Sequence, residues 1–453
     1  MMKQANIRQV YFIGIGGIGM SALARYFLSK GIAVNGYDKT ATTLTRELEA
    51  AGMEIVYEDR PETIPELVDM VVYTPAIPAV NKILQHFKAK HQQLLKRSDV
   101  LQLISESSFN ICIAGTHGKT TISTMTAHIL RHTGYGCNAF LGGIAANYGT
   151  NFWSHERNVA VIEADEYDRS FLKLSPDIAV ISAMDADHLD IYGTAAEMEK
   201  AFIAFAGKVK PGGVLFAQNG LERGDELHSP RKLTYDLHNE KADFFASGLI
   251  AKEGAYHYTV VSSSWVLENV TLNMGGLHNV ENSLAAIAIA HELGIEDNSI
   301  REAVSAFKGV KRRFEYKLVT ERFTYVDDYA HHPEELKALI NGARDMFRGK
   351  KCTVIFQPHL FSRTRDFAEG FAESLDLADE VILLPIYPAR EEPIPGVDSN
   401  MISALMKKTN RVIENKESVL QWIDEQEPEL LITAGAGDID QLTEKITNTL
   451  RNK

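Results

Sequence analysis

Between Asn110 and Thr121 the chain reads Asn-Ile-Cys-Ile-Ala-Gly-Thr-His-Gly-Lys-Thr-Thr, and this run constrains the fold more than any other. The apolar stretch Ile111 to Ala114 has the length and character of a buried strand. It breaks at Gly115-Thr116-His117-Gly118 and passes through Lys119-Thr120-Thr121 into a helical pattern, Ile122 to His132, that stops at Gly134. Strand, glycine loop and helix in this order make a phosphate cradle. Loop N–H groups and the positive helix end receive phosphate oxygens, the lysine reaches the β/γ-phosphates, and a threonine hydroxyl can hold Mg²⁺. The loop is shorter than the usual Gly-x4-Gly-Lys-[Ser/Thr], with Ile113 where the first glycine would stand. Gly115, Thr116, His117, Gly118, Lys119, Thr120 and Thr121 are therefore the expected ATP-contacting residues.

The 453-residue chain is long enough for about three domains. A formal charge of −13 leaves no basic excess for general nucleic-acid or anionic-membrane binding. Cys112, Cys137 and Cys352 lie far apart with no CxxC spacing, as expected of packing thiols in a reducing compartment. No uninterrupted apolar run reaches membrane-spanning length and the N-terminus lacks a secretory pattern, so the expected location is cytoplasmic.

The opening is a βαβ unit. A strand, Gln9 to Ile13, ends in Gly14-Ile-Gly16-Gly17-Ile-Gly19, then come a helical pattern over Ser21–Leu28, a strand over Ala33–Tyr37, and Asp38. Gly14, Gly16, Gly17 and Gly19 can seat a diphosphate on the helix N-terminus. Read alone, the unit suggests a dinucleotide and an NAD(P)-dependent oxidoreductase. Asp38 is either a ribose ligand or a solvated carboxylate at a strand end. Further strands are expected at Met70–Tyr73 and Gln92–Leu95, with the first domain ending between Ser105 and Phe109.

After the phosphate loop, the strand Asn158–Ile162 leads into Glu163-Ala-Asp165-Glu166. Asp177–Ser182 leads into Met184-Asp185-Ala-Asp187-His188. Glu163 and His188 thus follow apolar strands of one inferred sheet, at the edge where open α/β sheets place their sites, and suit Mg²⁺ carried by nucleotide phosphates. Residues 241–273 alternate as β structure. The apolar helix Ser283–Leu293 is preceded by Asn279 and Asn282, three apart and so on one face. A basic hinge carries Arg312 and Arg313. Beyond it four strand ends deliver polar groups: Asp327-Asp328-Tyr-Ala-His331-His332-Pro333 after Tyr325-Val326, His359 and Arg363 after Thr353–Phe356, Tyr387 after Val381–Leu384, and Gly435-Ala-Gly437-Asp438 after Leu430–Thr433. The fold class expected is α/β throughout.

These motifs, in this order and spacing, resemble the ATP-dependent Mur ligases of peptidoglycan precursor synthesis over almost the whole chain, most closely the member that adds the first amino acid. The resemblance implies three domains: a Rossmann-like N-terminal UDP-sugar-binding domain over 1–107, a central P-loop ATPase α/β domain over 108–313, and a C-terminal Rossmann-like domain over 314–453 that admits the amino acid. It implies ATP and Mg²⁺ as cofactors, UDP-N-acetylmuramate and L-alanine as substrates, and an acyl-phosphate intermediate; a homodimer is left open. It turns the first glycine loop and Asp38 into a UDP-sugar site rather than a nicotinamide site. It also implies Thr120, Glu163 and His188 as the metal shell and Asn279, Asn282 and Arg312 at the nucleotide. Lys119, His188, Arg313, Asp328, His331, His359 and Arg363 become the residues facing the reaction. Ala183 stands where many relatives carry asparagine, and of the segment around residue 360 only Pro358, His359 and Arg363 carry over. A muropeptide-recycling ligase that takes a preformed tripeptide is the near alternative; a non-catalytic nucleotide-binding regulator is a distant one.

Overall fold

The computed structural model of the chain describes residues 7–185, 189–252, 254–389, 391–412 and 415–453. The chain forms two compact units. One runs to Ser247 and takes in Val260–Leu267 and Glu281–Val304; the other comprises Gly248–Thr259, Glu268–Val280 and Ser305–Lys453.

In the first unit the opening elements are β1 (Gln9–Ile13), α1 (Ile18–Ser29), β2 (Ala33–Tyr37), α2 (Thr43–Ala50), β3 (Glu54–Val56), β4 (Met70–Tyr73), α3 (Lys82–Ala89), β5 (Leu94–Lys96) and α4 (Arg97–Glu106). The parallel sheet has the order β3-β2-β1-β4-β5, so the direction of winding reverses at β1 and opens a crevice beyond its carboxyl end. The strands expected at 9–13, 33–37 and 70–73 are present, whereas the one expected at 92–95 forms at 94–96.

Next come β6 (Phe109–Ala114), α5 (Lys119–His132), β7 (Asn138–Ala145), β8 (Thr150–Trp153), β9 (Val159–Glu163), β10 (Ile178–Ile181), α6 (Leu189–Tyr192), α7 (Ala195–Ala206), β11 (Val214–Gln218) and β12 (Lys232–Asp236). They are followed by β13 (Phe244–Lys252), β14 (Ala255–Ser262), β15 (Val266–Leu272), α8 (Leu277–Glu292) and α9 (Asp297–Ala306). Strand order in this second sheet is β15-β14-β13-β12-β11-β10-β6-β9-β7-β8. β6 lies between β9 and β10, parallel to both, so the loop after β6 opens at a second reversal of winding. Side chains from α1 and β1 join those of β6, β9 and β10 in one continuous buried core. The two sheets are further tied by Asn151 of β8, fully buried, whose amide donates to Ile18 O at 2.5 Å and Ser21 Oγ at 2.9 Å in the first turn of α1. Tyr26 of α1 packs on Phe140 and Phe152 at ring distances of 5.4 and 6.1 Å.

The second unit carries β16 (Glu315–Val319), β17 (Thr324–Asp328), α10 (Pro333–Met346), β18 (Cys352–Phe356), α11 (Phe361–Asp366), α12 (Ala368–Leu375), β19 (Glu380–Leu383), α13 (Ser399–Leu405), β20 (Thr409–Val412), α14 (Lys416–Gln426), β21 (Leu430–Ala434) and α15 (Thr443–Arg451). Its sheet order is β16-β17-β21-β18-β19-β20, parallel except for β16. Alternate residues of each strand feed opposite cores: Val326, Val354 and Ile432 meet α10 and α12, while Tyr325, Ile355 and Leu431 meet α14 and α15. Among the described residues no helix is long and apolar enough to cross a membrane.

Candidate active site

The phosphate loop joins β6 to α5, and its glycines are required by geometry. Gly115 has φ +137° and packs against the backbone of Ser182 and Ala183, where a Cβ would lie 2.9 Å from Ala183 N. Gly118, at φ +81°, caps α5, and a Cβ there would be 2.6 Å from Asn282 Oδ1. Ala183 thus serves the loop through its backbone: Thr116 N donates to Ala183 O at 3.1 Å. Lys119 opens α5 and folds back over the loop, with Nζ 2.6 Å from Gly115 O and 2.7 Å from Glu166 Oε1. Glu166 is 0 % exposed; burial pushes its carboxyl up and the Lys119 ammonium pulls it back. Thr120 Oγ1 donates to Glu163 Oε1 at 2.9 Å, and Gly142 N of the neighbouring strand β7 holds the other Glu163 oxygen at 2.8 Å. Thr116 Oγ1 takes the Asp185 N–H at 3.2 Å, His117 Nε2 stands 3.8 Å from the exposed Asp185 carboxylate, and Thr121 is buried in the first turn of α5. Lys119, Thr120, Glu163, Glu166 and Asn282 are therefore brought together around one loop. His188 lies outside the described residues.

Asn279 and Asn282 do share α8 but have different surroundings. Asn279 is buried and its amide donates to Gly275 O at 2.7 Å, fastening the turn that starts the helix, whereas Asn282 reaches Gly118.

At the first glycine loop, Gly14 takes φ +87°, and the N–H groups of Gly14 and Ile15 both point to Tyr37 O, at 2.7 and 3.1 Å. Asp38 binds the loop itself, accepting Gly16 N–H at 2.8 Å and Thr40 N–H at 3.3 Å. Gly17 is the N-cap of α1 and, having no side chain, leaves the first-turn amides without a side-chain cap of its own. Gly19 lies directly beneath the guanidinium of Arg97, whose Nη2 is 3.2 Å from Asp165 Oδ2. Arg97 carries little signal in the sequence: it is a basic residue just beyond the short strand Leu94–Lys96.

The C-terminal sheet gathers the third group. Asp327 is 1 % exposed, and burial raises its carboxyl to about 7 despite the Arg312 guanidinium 3.5 Å away and a 2.6 Å hydrogen bond from Thr433. Arg312, at φ +60°, also donates to the carbonyls of Gly435 and Gly437. Asp328, raised to about 6 chiefly by burial, uses both oxygens on backbone N–H groups of Phe314 (2.6 Å) and Ala330 (2.7 Å). It holds the turn that presents Arg313, which is itself exposed. His331 Nδ1 faces Tyr329 O at 2.9 Å, an acceptor that favours the proton on Nδ1 and so leaves Nε2 unprotonated in the neutral ring. The His331 and His359 rings stand 6.1 Å apart, and His359 stacks on Tyr387. Burial is the main cause that lowers both imidazoles, opposed at His331 by Glu335 and assisted at His359 by His331 and then by Arg363, so the neutral form is favoured in each. His359 Nδ1 and Arg363 Nη1 are buried with no hydrogen-bond partner among the described residues. Buried donors and acceptors of this kind are normally satisfied, so both atoms are open to a further partner.

Three family models cover this arrangement: "Mur ligase family, catalytic domain" over 9–108, "Mur ligase middle domain" over 113–290, and "Mur ligase, glutamate ligase domain" over 312–437. A UDP-N-acetylmuramate–L-alanine ligase of Christiangramia forsetii is 44% identical over 99% of both chains, and one of Phocaeicola vulgatus 45% over 100% of both. The chain belongs to the Mur ligase family. Among solved members of the Mur ligases, the UDP-N-acetylmuramate–alanine ligase of Thermotoga maritima superposes with a TM-score of 0.82 at 27% identity, covering 98% of this chain and 99% of that one. The murein peptide ligase of Psychrobacter arcticus shares the fold at 22% identity and a TM-score of 0.68. As a Mur ligase the chain is an ATP-dependent carbon–nitrogen ligase, and the nicotinamide reading of its first βαβ unit falls away.

Proposed function

We propose that the chain joins L-alanine to the carboxylate of UDP-N-acetylmuramate at the expense of ATP, in peptidoglycan precursor synthesis. The observation that carries this is the full-length likeness, at 44–45% identity, to relatives named for that reaction. The geometry supplies matching chemistry. In this reading residues 1–107 receive the UDP-sugar on Gly14, Gly16, Gly17 and Gly19, residues 108–313 receive ATP, and residues 314–453 admit the amino acid.

Lys119, released from Gly115 O and Glu166, engages the β/γ-phosphates, while the loop amides, Asn282 and the α5 N-terminus fix them for in-line transfer. Thr120 and Glu163, 2.9 Å apart, are hard oxygen donors beside that lysine and fit Mg²⁺, with His188 as the third candidate. Mg²⁺ there supplies charge neutralisation on the phosphates. The sugar carboxylate oxygen bonds to the γ-phosphorus as the bond to ADP breaks, giving an acyl phosphate. The alanine nitrogen then bonds to the acyl carbon, a tetrahedral intermediate forms, and inorganic phosphate leaves. His331 and His359, neutral and beside Arg363, are suited to take the proton that the ammonium must lose, while Arg363 meets the alanine carboxylate. The test is phosphate release with UDP-N-acetylmuramate and each candidate acceptor. L-alanine is expected to drive it; release with a preformed tripeptide and none with alanine would sink the reading.

A further inference from the structure

The glycines of the first loop serve different ends. Gly14 is needed for its backbone conformation, and a Cβ at Gly16 would press on Asp38 Oδ2 at 2.9 Å. Gly19, by contrast, sits in ordinary helical backbone; a Cβ there would overlap Nη1 of Arg97 and lie 2.9 Å from its Cδ. Gly19 is a seat for a guanidinium over the first turn of α1. The Arg97 side chain is partly solvent-exposed (26 %), which leaves room for an incoming ligand, and its Nη2 is held by Asp165, in the segment that follows β9. Asp165 is chain neighbour to Glu166, which holds Lys119 at 2.7 Å. A second, charge-reversed tie crosses the same seam: Lys173 binds Asp99 and, at 3.2 Å, Ser98 Oγ of α4. Docking of α4 therefore does not depend on Arg97 alone.

We propose that Arg97 binds the diphosphate of the nucleotide sugar and couples that site to the phosphate loop. One edge of its planar fork takes the anion seated at the α1 N-terminus while Nη2 keeps Asp165. Occupation of the front site then fixes the Asp165–Glu166 segment and sets Lys119 for ATP. This rests on the first glycine loop being the UDP-sugar site. Because such coupling is reciprocal, nucleotide must tighten UDP-sugar binding by the same factor.

The experiment is calorimetric titration of the whole chain with UDP-N-acetylmuramate, with and without a non-hydrolysable ATP analogue and Mg²⁺. In the wild type the analogue is expected to lower the UDP-sugar Kd by about fivefold or more. Arg97→Met should raise the Kd without nucleotide by roughly tenfold, the loss of one charge-assisted hydrogen bond, and bring the ratio with and without analogue to about one. Asp165→Asn, which keeps the Oδ1 that accepts Tyr167 N–H, should also abolish the ratio while raising the nucleotide-free Kd by less than about threefold. Lys173→Met, a control for loss of seam packing, should lower the melting temperature and leave the ratio intact. A wild-type ratio retained in Arg97→Met, or lost equally in Lys173→Met, overturns the proposal alone. A wild-type chain that binds no UDP-N-acetylmuramate overturns the reading of the loop and the proposal with it.

Discussion

Lys119 shows how a single residue can be both legible and incomplete in the sequence. Its place after a glycine loop announces phosphate chemistry, but its buried counter-charge, Glu166, lies 47 residues on and is found only once the chain is folded. Lys119→Ala removes the cation needed at the transferring phosphate, so kcat should fall by roughly 10²–10³ while UDP-N-acetylmuramate still binds. Calorimetry beside a phosphate-release assay separates the two, and near-normal turnover would dismiss the assigned role. His128, in the middle of α5, makes a different prediction. Its Nε2 donates to Ala303 O at 2.8 Å and its Nδ1 accepts from Tyr148 Oη at 2.9 Å, so both ring nitrogens are committed in the neutral form. Burial lowers its pKa to about 4 from an ordinary 6.5. Between those values the unfolded chain binds a proton that the folded chain refuses. Stability is therefore full above pH 6.5 and declines towards pH 4, by about 3 kcal/mol from this group. Urea midpoints for wild type and His128→Gln should converge as pH falls across that window; parallel curves would refute it.

At the scale of elements, the legible parts are those whose hydrogen bonds and side-chain burial are decided locally. β1, β2, β6 and β9 are short runs that end in glycine or a carboxylate, β4 is one that ends at Thr74-Pro75, and the parallel sheets they form are buried on both faces, so their composition betrays them. The hairpin β7–β8 gives no comparable signal, because Gly142 and Gly143 interrupt its alternation and its paired aromatics, Phe140 and Phe152, also pack on Tyr26 of the distant α1. Asn151, buried and bonded to a turn 133 residues earlier, was likewise invisible. Gly142 explains its own presence once the register is known: a Cβ there would collide with the Glu163 carboxylate, and its N–H orients that carboxylate toward Thr120. Gly142→Ala should therefore displace Glu163 and raise the Mg²⁺ concentration for half-maximal activity by roughly tenfold, with the L-alanine KM unchanged and a near-native melt. An unaltered Mg²⁺ dependence would show that Glu163 is not held from this strand.

For the whole molecule, the division of labour between the two units gives the sharpest expectation. The phosphate loop and the first glycine loop belong to one compact unit, while His331, His359 and Arg363 belong to the other. The proposed reaction divides the same way, into phosphoryl transfer to the sugar acid and capture of the acyl group by an amine. Removing a group that serves only the second step should leave the first intact. Arg363→Ala deletes the guanidinium whose Nη1 is buried without a hydrogen-bond partner among the described residues, so removing Nη1 breaks no hydrogen bond among them. Ligation by this variant should fall by roughly 10²-fold through loss of a charge-assisted contact to the acceptor and its orientation. With hydroxylamine in place of alanine the acyl phosphate is intercepted as a hydroxamate, since a small neutral amine needs no carboxylate partner. Hydroxamate formation should stay within about threefold of wild type in Arg363→Ala and be lost in Lys119→Ala. Equal loss of hydroxamate and of ligation in Arg363→Ala would mean that this arginine acts on phosphoryl transfer, and that the second unit takes part in both halves of the reaction.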